Sequence, residues 1–195
     1  MGPRKLAFEP PPRKATTEFD AALHVRSVSD SAILSPVVTA GIQLIDDALI
    51  DATLAKARSS PRLRANHNFH ASETDAFHRF LNALLRGTYA APHRHLAPAK
   101  PENFSILRGE LACFFFDDRG QVLEHVVLGR GGRLGVDVAA GVWHTIAPVT
   151  PEAVCLEVKP GPWDPKTDKE FAPWAPREGD AGAAAYLAAL MRELR

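Results

Sequence analysis

His93 and His95, one residue apart, are followed by Glu102 and later by His144, and this is the set of side chains in the chain best suited to chemistry. In an extended strand, side chains at i and i+2 share a face, so APHRH can aim both imidazoles at one point, which a helix cannot do. Glu102 opens ENFSILRG, whose aromatic and β-branched residues predict a strand, with Pro98 and Pro101 confining the turn before it. His144 stands in AAGVWHTI, near the start of another apolar strand that follows a glycine turn. Three imidazoles and one carboxylate suit Zn, Fe, Mn, Ni or Co, whereas Mg and Ca prefer oxygen throughout. Four protein ligands leave one or two metal positions open. Such a site can polarise a carbonyl or hydroxyl, lower the pKa of a bound water or, with iron, engage dioxygen.

Further candidates are those that could share a pocket with this set. Tyr89 has the strand parity of His93 and His95 and is expected to turn its hydroxyl into the same cavity as a proton donor. The polar segment RANHNFH, read as a loop, carries Arg64, Asn66, His67, Asn68 and His70, with His67 as a second catalytic candidate and Asn66, Asn68 and His70 edging the pocket. Arg79 and Asn82, three apart on an expected helix, share a face on which Arg79 could meet an anionic substrate or fix the loop. His125 reads as an ordinary strand residue, and His24 as a solvated one. Trp143, beside His144, points away from the metal by alternation.

These residues need elements to position them. From Ile45 to Ala57, apolar residues recur at helical spacing, with acids early and Lys56 and Arg58 late, which predicts a first helix. SETDAFHRFLNALLRG, with Ser72 as N-cap and Gly87 beyond its end, predicts a second. From Tyr89 to Lys159 the chain changes to short β-branched and aromatic runs separated by glycine turns, among them the hairpin LACFFFDDRGQVLEHVVL around Gly120. GRGGR links two strands and lacks the helix and Lys-Ser/Thr of a phosphate-binding loop. AGAAAYLAALMRELR predicts a C-terminal helix. The expected organisation is an irregular extension over 1–40, a helical segment over 41–86, a β-barrel with the metal site over 87–160, and a wrap and helix over 161–195. The fold class is mainly β, a jelly-roll barrel with N-terminal helices and a C-terminal helix.

Composition excludes several classes of function. Lysine plus arginine balance aspartate plus glutamate at 23 each, which leaves no electrostatic case for nucleic acid or an anionic membrane. An apolar fraction of 46% supports one core, without a run long enough to span a bilayer or a secretory leader, so a cytoplasmic location is expected. Cys113 and Cys155 sit in apolar runs and read as reduced core residues.

The spacing Gly87, His93, His95, Glu102, Gly109 resembles the first motif of the cupin superfamily, with a slightly long spacer before the glutamate. Gly141 and His144 match the second motif, in which Ala139 replaces its proline and Pro148 its asparagine. Over a longer stretch, from Ile42 to Pro176, the segments SPRLRANHNFH, FHRFLNALLRGTYAAPHRH, GVWHT and EVKPGPWDPKTDKEFAPWAP are similar to WbuC-type cupin metalloproteins, found among bacterial genes for surface polysaccharide (O-antigen) synthesis. That resemblance implies a cupin-type jelly roll and a divalent transition metal on His93, His95, Glu102 and His144. The expected partners are a second copy in a homodimer and a carbohydrate-related small-molecule substrate, a sugar or nucleotide sugar, with isomerase- or epimerase-like chemistry as the expected reaction. A non-catalytic cupin that binds a small ligand as a sensor or accessory subunit, and an iron-dependent dioxygenase, are the alternatives.

Overall fold

A computed structural model describes residues 41–194. The expectations for residues 1–40, including His24, lie outside them. The described chain runs α1 (Asp47–Ser59), β1 (Arg64–Asn68), β2 (Phe77–Leu85), β3 (His93–Arg94), β4 (Glu102–Arg108), β5 (Leu111–Phe116), β6 (Val122–Leu128), β7 (Gly135–Val138), β8 (Trp143–Pro148), β9 (Glu152–Pro160), β10 (Glu170–Phe171) and α2 (Ala183–Arg192). Ten strands form two antiparallel five-stranded sheets, ordered β1-β2-β9-β4-β7 and β10-β3-β8-β5-β6. Their inner faces meet in a core of Leu84, Phe104, Leu111, Cys113, Ile146 and Cys155, so the architecture is the mainly β jelly roll that the strand pattern predicts.

Each sheet is covered on its outside by one helix. Ile50, Leu54 and Ala57 of α1 pack on Leu81, Ala83 and Val154, and burying a side chain such as Leu54 stabilises the fold by about 1.5–3 kcal/mol. Asp46 caps α1 by accepting the Leu49 amide at 2.9 Å, and Lys56 and Arg58 close its last turn, as the charge pattern predicts. On the other sheet, Leu190 of α2 and Trp174 pack with Phe114, Phe116 and Trp143. The β5–β6 hairpin forms with Gly120 at φ +86°, where a Cβ would come within 2.6 Å of the Trp174 ring.

The second predicted helix is a strand. Phe77–Leu85 pairs with β9 along its whole length, from Phe77 opposite Pro160 to Leu85 opposite Glu152. Its residues 80–84 are buried on both faces, with Leu84 toward the sheet–sheet core and Leu81 and Ala83 toward α1. A strand covered on both sides loses the apolar–polar alternation, and its Leu and Ala content then imitates a helix. Ser72 does not cap a helix; its hydroxyl accepts the Thr74 amide at 2.9 Å in a turn. The polar segment read as a loop is the edge strand β1, paired with β2 in register. The sheets therefore begin at Arg64, upstream of the expected start of the barrel.

Candidate metal centre

β3 and β8 place His93 directly opposite His144, and His95 follows just beyond the end of β3. Glu102 is the first residue of β4, on the other sheet. The four side chains thus reach one point from both sheets. Each is 6% exposed or less, and their ligand atoms all lie within 4.8 Å of one another.

The hydrogen bonds decide what these side chains offer. The Nδ1 of His93 faces the Ala91 carbonyl at 3.0 Å, that of His144 faces the Val142 carbonyl at 2.9 Å, and that of His95 faces the Asp168 carbonyl. A carbonyl can only accept, so in all three rings Nδ1 carries the proton and donates, and Nε2 of the neutral ring presents a lone pair. Burial, then the charge of Lys169 and the neighbouring His144, hold the His93 imidazole well below its ordinary pKa and keep it neutral. Glu102 is ionised: burial acts against its charge, but His144, His95 and the Lys159 ammonium outweigh that and hold it well below the usual carboxylate range.

With the rings neutral and the proton on Nδ1, lone pairs face lone pairs. His144 Nε2 lies 2.9 Å from Glu102 Oε2, and His95 Nε2 lies 3.0 Å from Glu102 Oε1. Among the described residues His95 Nε2 is buried without a hydrogen-bond partner, a state that costs about 1–3 kcal/mol unless something else satisfies it, and Glu102 Oε1 is buried with the Lys159 ammonium 3.1 Å away as its one cationic neighbour. A divalent cation among the three Nε2 atoms and the carboxylate would satisfy all of them at once, and this borderline-soft donor set fits Zn, Fe, Mn or Ni.

A second layer of buried charge holds the donors in place. Lys159 Nζ lies 3.1 Å from Glu102 Oε1, 3.2 Å from Asp168 Oδ2 and 3.9 Å from Glu157 Oε1. Asp168 also takes Lys100 Nζ at 2.7 Å, so one residue of the C-terminal wrap fixes His95 through its main chain and Lys159 through its carboxylate. Glu157 accepts the Asn82 amide at 2.9 Å, and burial together with Glu102 pushes its carboxyl above the ordinary range. Sequence reading missed Lys100, Glu157, Lys159, Asp168 and Lys169. The signal was present in AVCLEVKP, where alternation places Cys155, Glu157 and Lys159 on one inward face of β9.

The cluster opens on a cavity of about 560 Å³ lined by His93, Glu102 and His144, by Glu157 and Lys159, and by groups from β1, β2 and the wrap. Asn66, Asn68, His70 and Asn82 are among its lining residues. His67 is not. It alternates onto the other face of β1, where its Nε2 accepts from the Gln43 amide at 2.8 Å and its ring meets Phe69 edge-on. Arg79 lies outside the cavity too, donating to the Phe69 carbonyl at 3.1 Å from the far side of β2. Tyr89 is a further correction: it packs with Ala183 and Tyr186, and its hydroxyl donates to the Pro176 carbonyl at 2.8 Å. The parity argument fails because β3 begins only at His93 and irregular backbone separates Tyr89 from it. Trp143 does point away from the cluster, donating its indole N–H to Asp118 at 2.9 Å. Cys113 and Cys155 are free, buried thiols. No helix among the described residues is long and apolar enough to cross a membrane.

A family model described as "Domain of unknown function (DUF6016)" matches residues 45–128. No curated protein matches the chain. Among solved structures, the capsular polysaccharide assembling protein CapF from Staphylococcus aureus is similar, with TM-score 0.45 and 19% identity over 53% of this chain and 28% of that one. The chain therefore spans under a third of that protein. NovW from Streptomyces spheroides, a 4-keto-6-deoxy sugar epimerase, gives TM-score 0.41 and 20% identity over 48% of this chain and 49% of that one. A cupin superfamily protein from Desulfitobacterium hafniense gives TM-score 0.39 and 18% identity over 49% of this chain and 74% of that one.

Proposed function

We propose that the chain binds one divalent transition metal through the Nε2 atoms of His93, His95 and His144 and the carboxylate of Glu102, and uses it on a small carbohydrate-type substrate in the adjoining cavity. The observation that carries this reading is the convergence of four buried ligand side chains, with His95 Nε2 lacking a partner among the described residues and all three imidazoles in the tautomer that turns a lone pair inward. When bound, the metal would supply a Lewis acid able to polarise a carbonyl or hydroxyl oxygen.

The chain's own residues supply the rest. Asn66 and Asn68 of β1 and Asn82 of β2 line the cavity with amide groups that match the hydroxyls of a sugar. The Asn82 Oδ1 is buried and has no partner among the described residues, so it can accept from a ligand hydroxyl. Glu157, beside Asn82 and pushed toward its protonated form, takes the proton-donor role first expected of Tyr89. This polar lining supports a hydroxyl-rich substrate, and the motif resemblance supports a place in surface polysaccharide synthesis, with sugar isomerisation or epimerisation as the reaction class.

Chain charged with Zn, Mn, Ni or Fe and titrated with hexoses and nucleotide hexoses tests the reading. Binding is expected in wild type and in Glu157→Gln and lost in His144→Ala, and any turnover is lost in Glu157→Gln while its metal is retained. Ligand binding that His144→Ala leaves untouched would refute it.

A further inference from the structure

Among the described residues, four cationic side chains line the cavity, and three of them are matched by carboxylates. Lys159 faces Glu102, Asp168 and Glu157, while Arg62 and Arg64 share Glu178 at 2.6 and 2.5 Å. Lys169 lines the same cavity, is partly buried, and makes no ion pair or hydrogen bond with any described residue. Its neighbours on both sides are anchored. The Asp168 main chain holds His95, and Glu170 holds Arg94 through two contacts of 2.8 and 2.9 Å. Lys169 shares the cavity lining with His93 and acts electrostatically on it. Glu102, Glu157 and Asp168 act on this ammonium only from beyond ion-pair distance, and an ammonium withdrawn from water without a carboxylate in direct contact is unfavourable, which an anion supplied from outside offsets. A divalent cation on the cluster would add further positive charge to this end of the cavity.

The second observation lies at Trp163. Its side chain lines the cavity yet the residue remains 38% exposed, and its main-chain N–H is pinned to the Glu73 carbonyl at 2.8 Å. A partly exposed indole on an anchored main chain at the cavity wall can serve as a platform for the C–H face of a sugar ring. From the unmatched lysine and the exposed indole in one cavity, we infer that the ligand is a sugar bearing one anionic group, a carboxylate or a phosphate, with the anion on Lys169 and the ring on Trp163. This inference rests on the metal-pocket reading above and specifies the ligand of that pocket.

The test titrates metal-charged, full-length chain with glucose, glucuronate, glucose phosphate and inorganic phosphate, and measures metal content on the same samples. Glucuronate or glucose phosphate is expected to bind at least about tenfold tighter than glucose, as one charge-assisted hydrogen bond in a partly desolvated site provides. Whichever binds tighter identifies the anion as carboxylate or phosphate. Lys169→Gln removes that preference, and Trp163→Ala weakens every sugar while the preference stays. Raised salt reduces the advantage in wild type but not in Lys169→Gln, a readout that needs no comparison of variant stability. Equal binding of glucose, a preference that survives Lys169→Gln, or inorganic phosphate binding as tightly as glucose phosphate would each overturn the inference. Bound metal without any charge preference refutes this inference alone. Metal-free protein refutes the metal reading and leaves the charge preference to be read separately.

Discussion

Lys159→Met is the perturbation that most directly probes how the buried charges support the cluster. It removes the ammonium that reaches Glu102 at 3.1 Å, Asp168 at 3.2 Å and Glu157 at 3.9 Å, and replaces it with an apolar chain of similar length. Breaking a buried ion pair by deleting one partner costs about 3–5 kcal/mol, because the charges left behind stay desolvated. Two features place the effect at the lower end. Lys100 still holds Asp168 at 2.7 Å, and Glu157, already pushed toward its neutral form, takes up a proton. The expected loss in metal-free protein is therefore about 3 kcal/mol, or roughly 6–12 °C in Tm for a domain of this size. Urea unfolding of metal-free and metal-charged protein measures it, with a smaller loss expected in the charged form, where the metal itself compensates Glu102. In an Asp168→Asn background the same substitution should cost less, since the two residues share one network. A loss below about 1 kcal/mol in metal-free protein, or full additivity with Asp168→Asn, would refute the reasoning.

Other consequences are as specific. Asp168 is held below the usual carboxylate range: burial acts upward, but Lys159 and Lys100 act downward more strongly. Its stabilising effect is thus present above the unfolded value of about 3.9 and lost as pH falls through the lower folded value. Asp168→Asn should accordingly flatten the acid limb of a stability–pH curve recorded by urea unfolding. Tyr89→Phe loses one neutral hydrogen bond to the Pro176 carbonyl, an expected cost of about 1 kcal/mol by thermal unfolding, and His67→Ala costs little; both should retain full metal content by elemental analysis. Burial pushes the Cys113 thiol up to about 12 and Cys155 well above its ordinary value, so a thiol-specific reagent should label neither until the protein unfolds.

The candidate site was more legible in the sequence than the scaffold around it, for physical reasons. A His-x-His pair and a downstream Glu and His announce themselves by residue type, because few other arrangements suit those side chains in apolar strands. α1, α2 and the β5–β6 hairpin were equally readable, since the cap and charge placement of α1, the helix formers of α2 and the glycine turn of the hairpin are local signals. β2 was not, because burial on both faces removes the period that separates strand from helix. β1, an edge strand, carries the composition of a loop: RANHN has polar residues on both faces, and only its pairing with β2 makes it a strand. The supporting charges escaped notice because Lys100, Lys159 and Asp168 come together only in three dimensions. Each alone looks like an ordinary surface residue, and nothing in their spacing shows that all three are at least 95% buried.

The central claim is that the Nε2 atoms of His93, His95 and His144 and the carboxylate of Glu102 together hold one divalent metal. X-ray absorption at the K-edge of the metal that co-purifies with the chain, or that saturates it, addresses that claim most directly. The account predicts one metal per chain whose nearest shell contains three imidazole nitrogens and at least one oxygen at about 2.0–2.3 Å, with imidazole scattering reduced in His93→Ala. A shell containing sulfur, a spectrum without imidazole scattering, or protein that takes up no metal at saturation would contradict it.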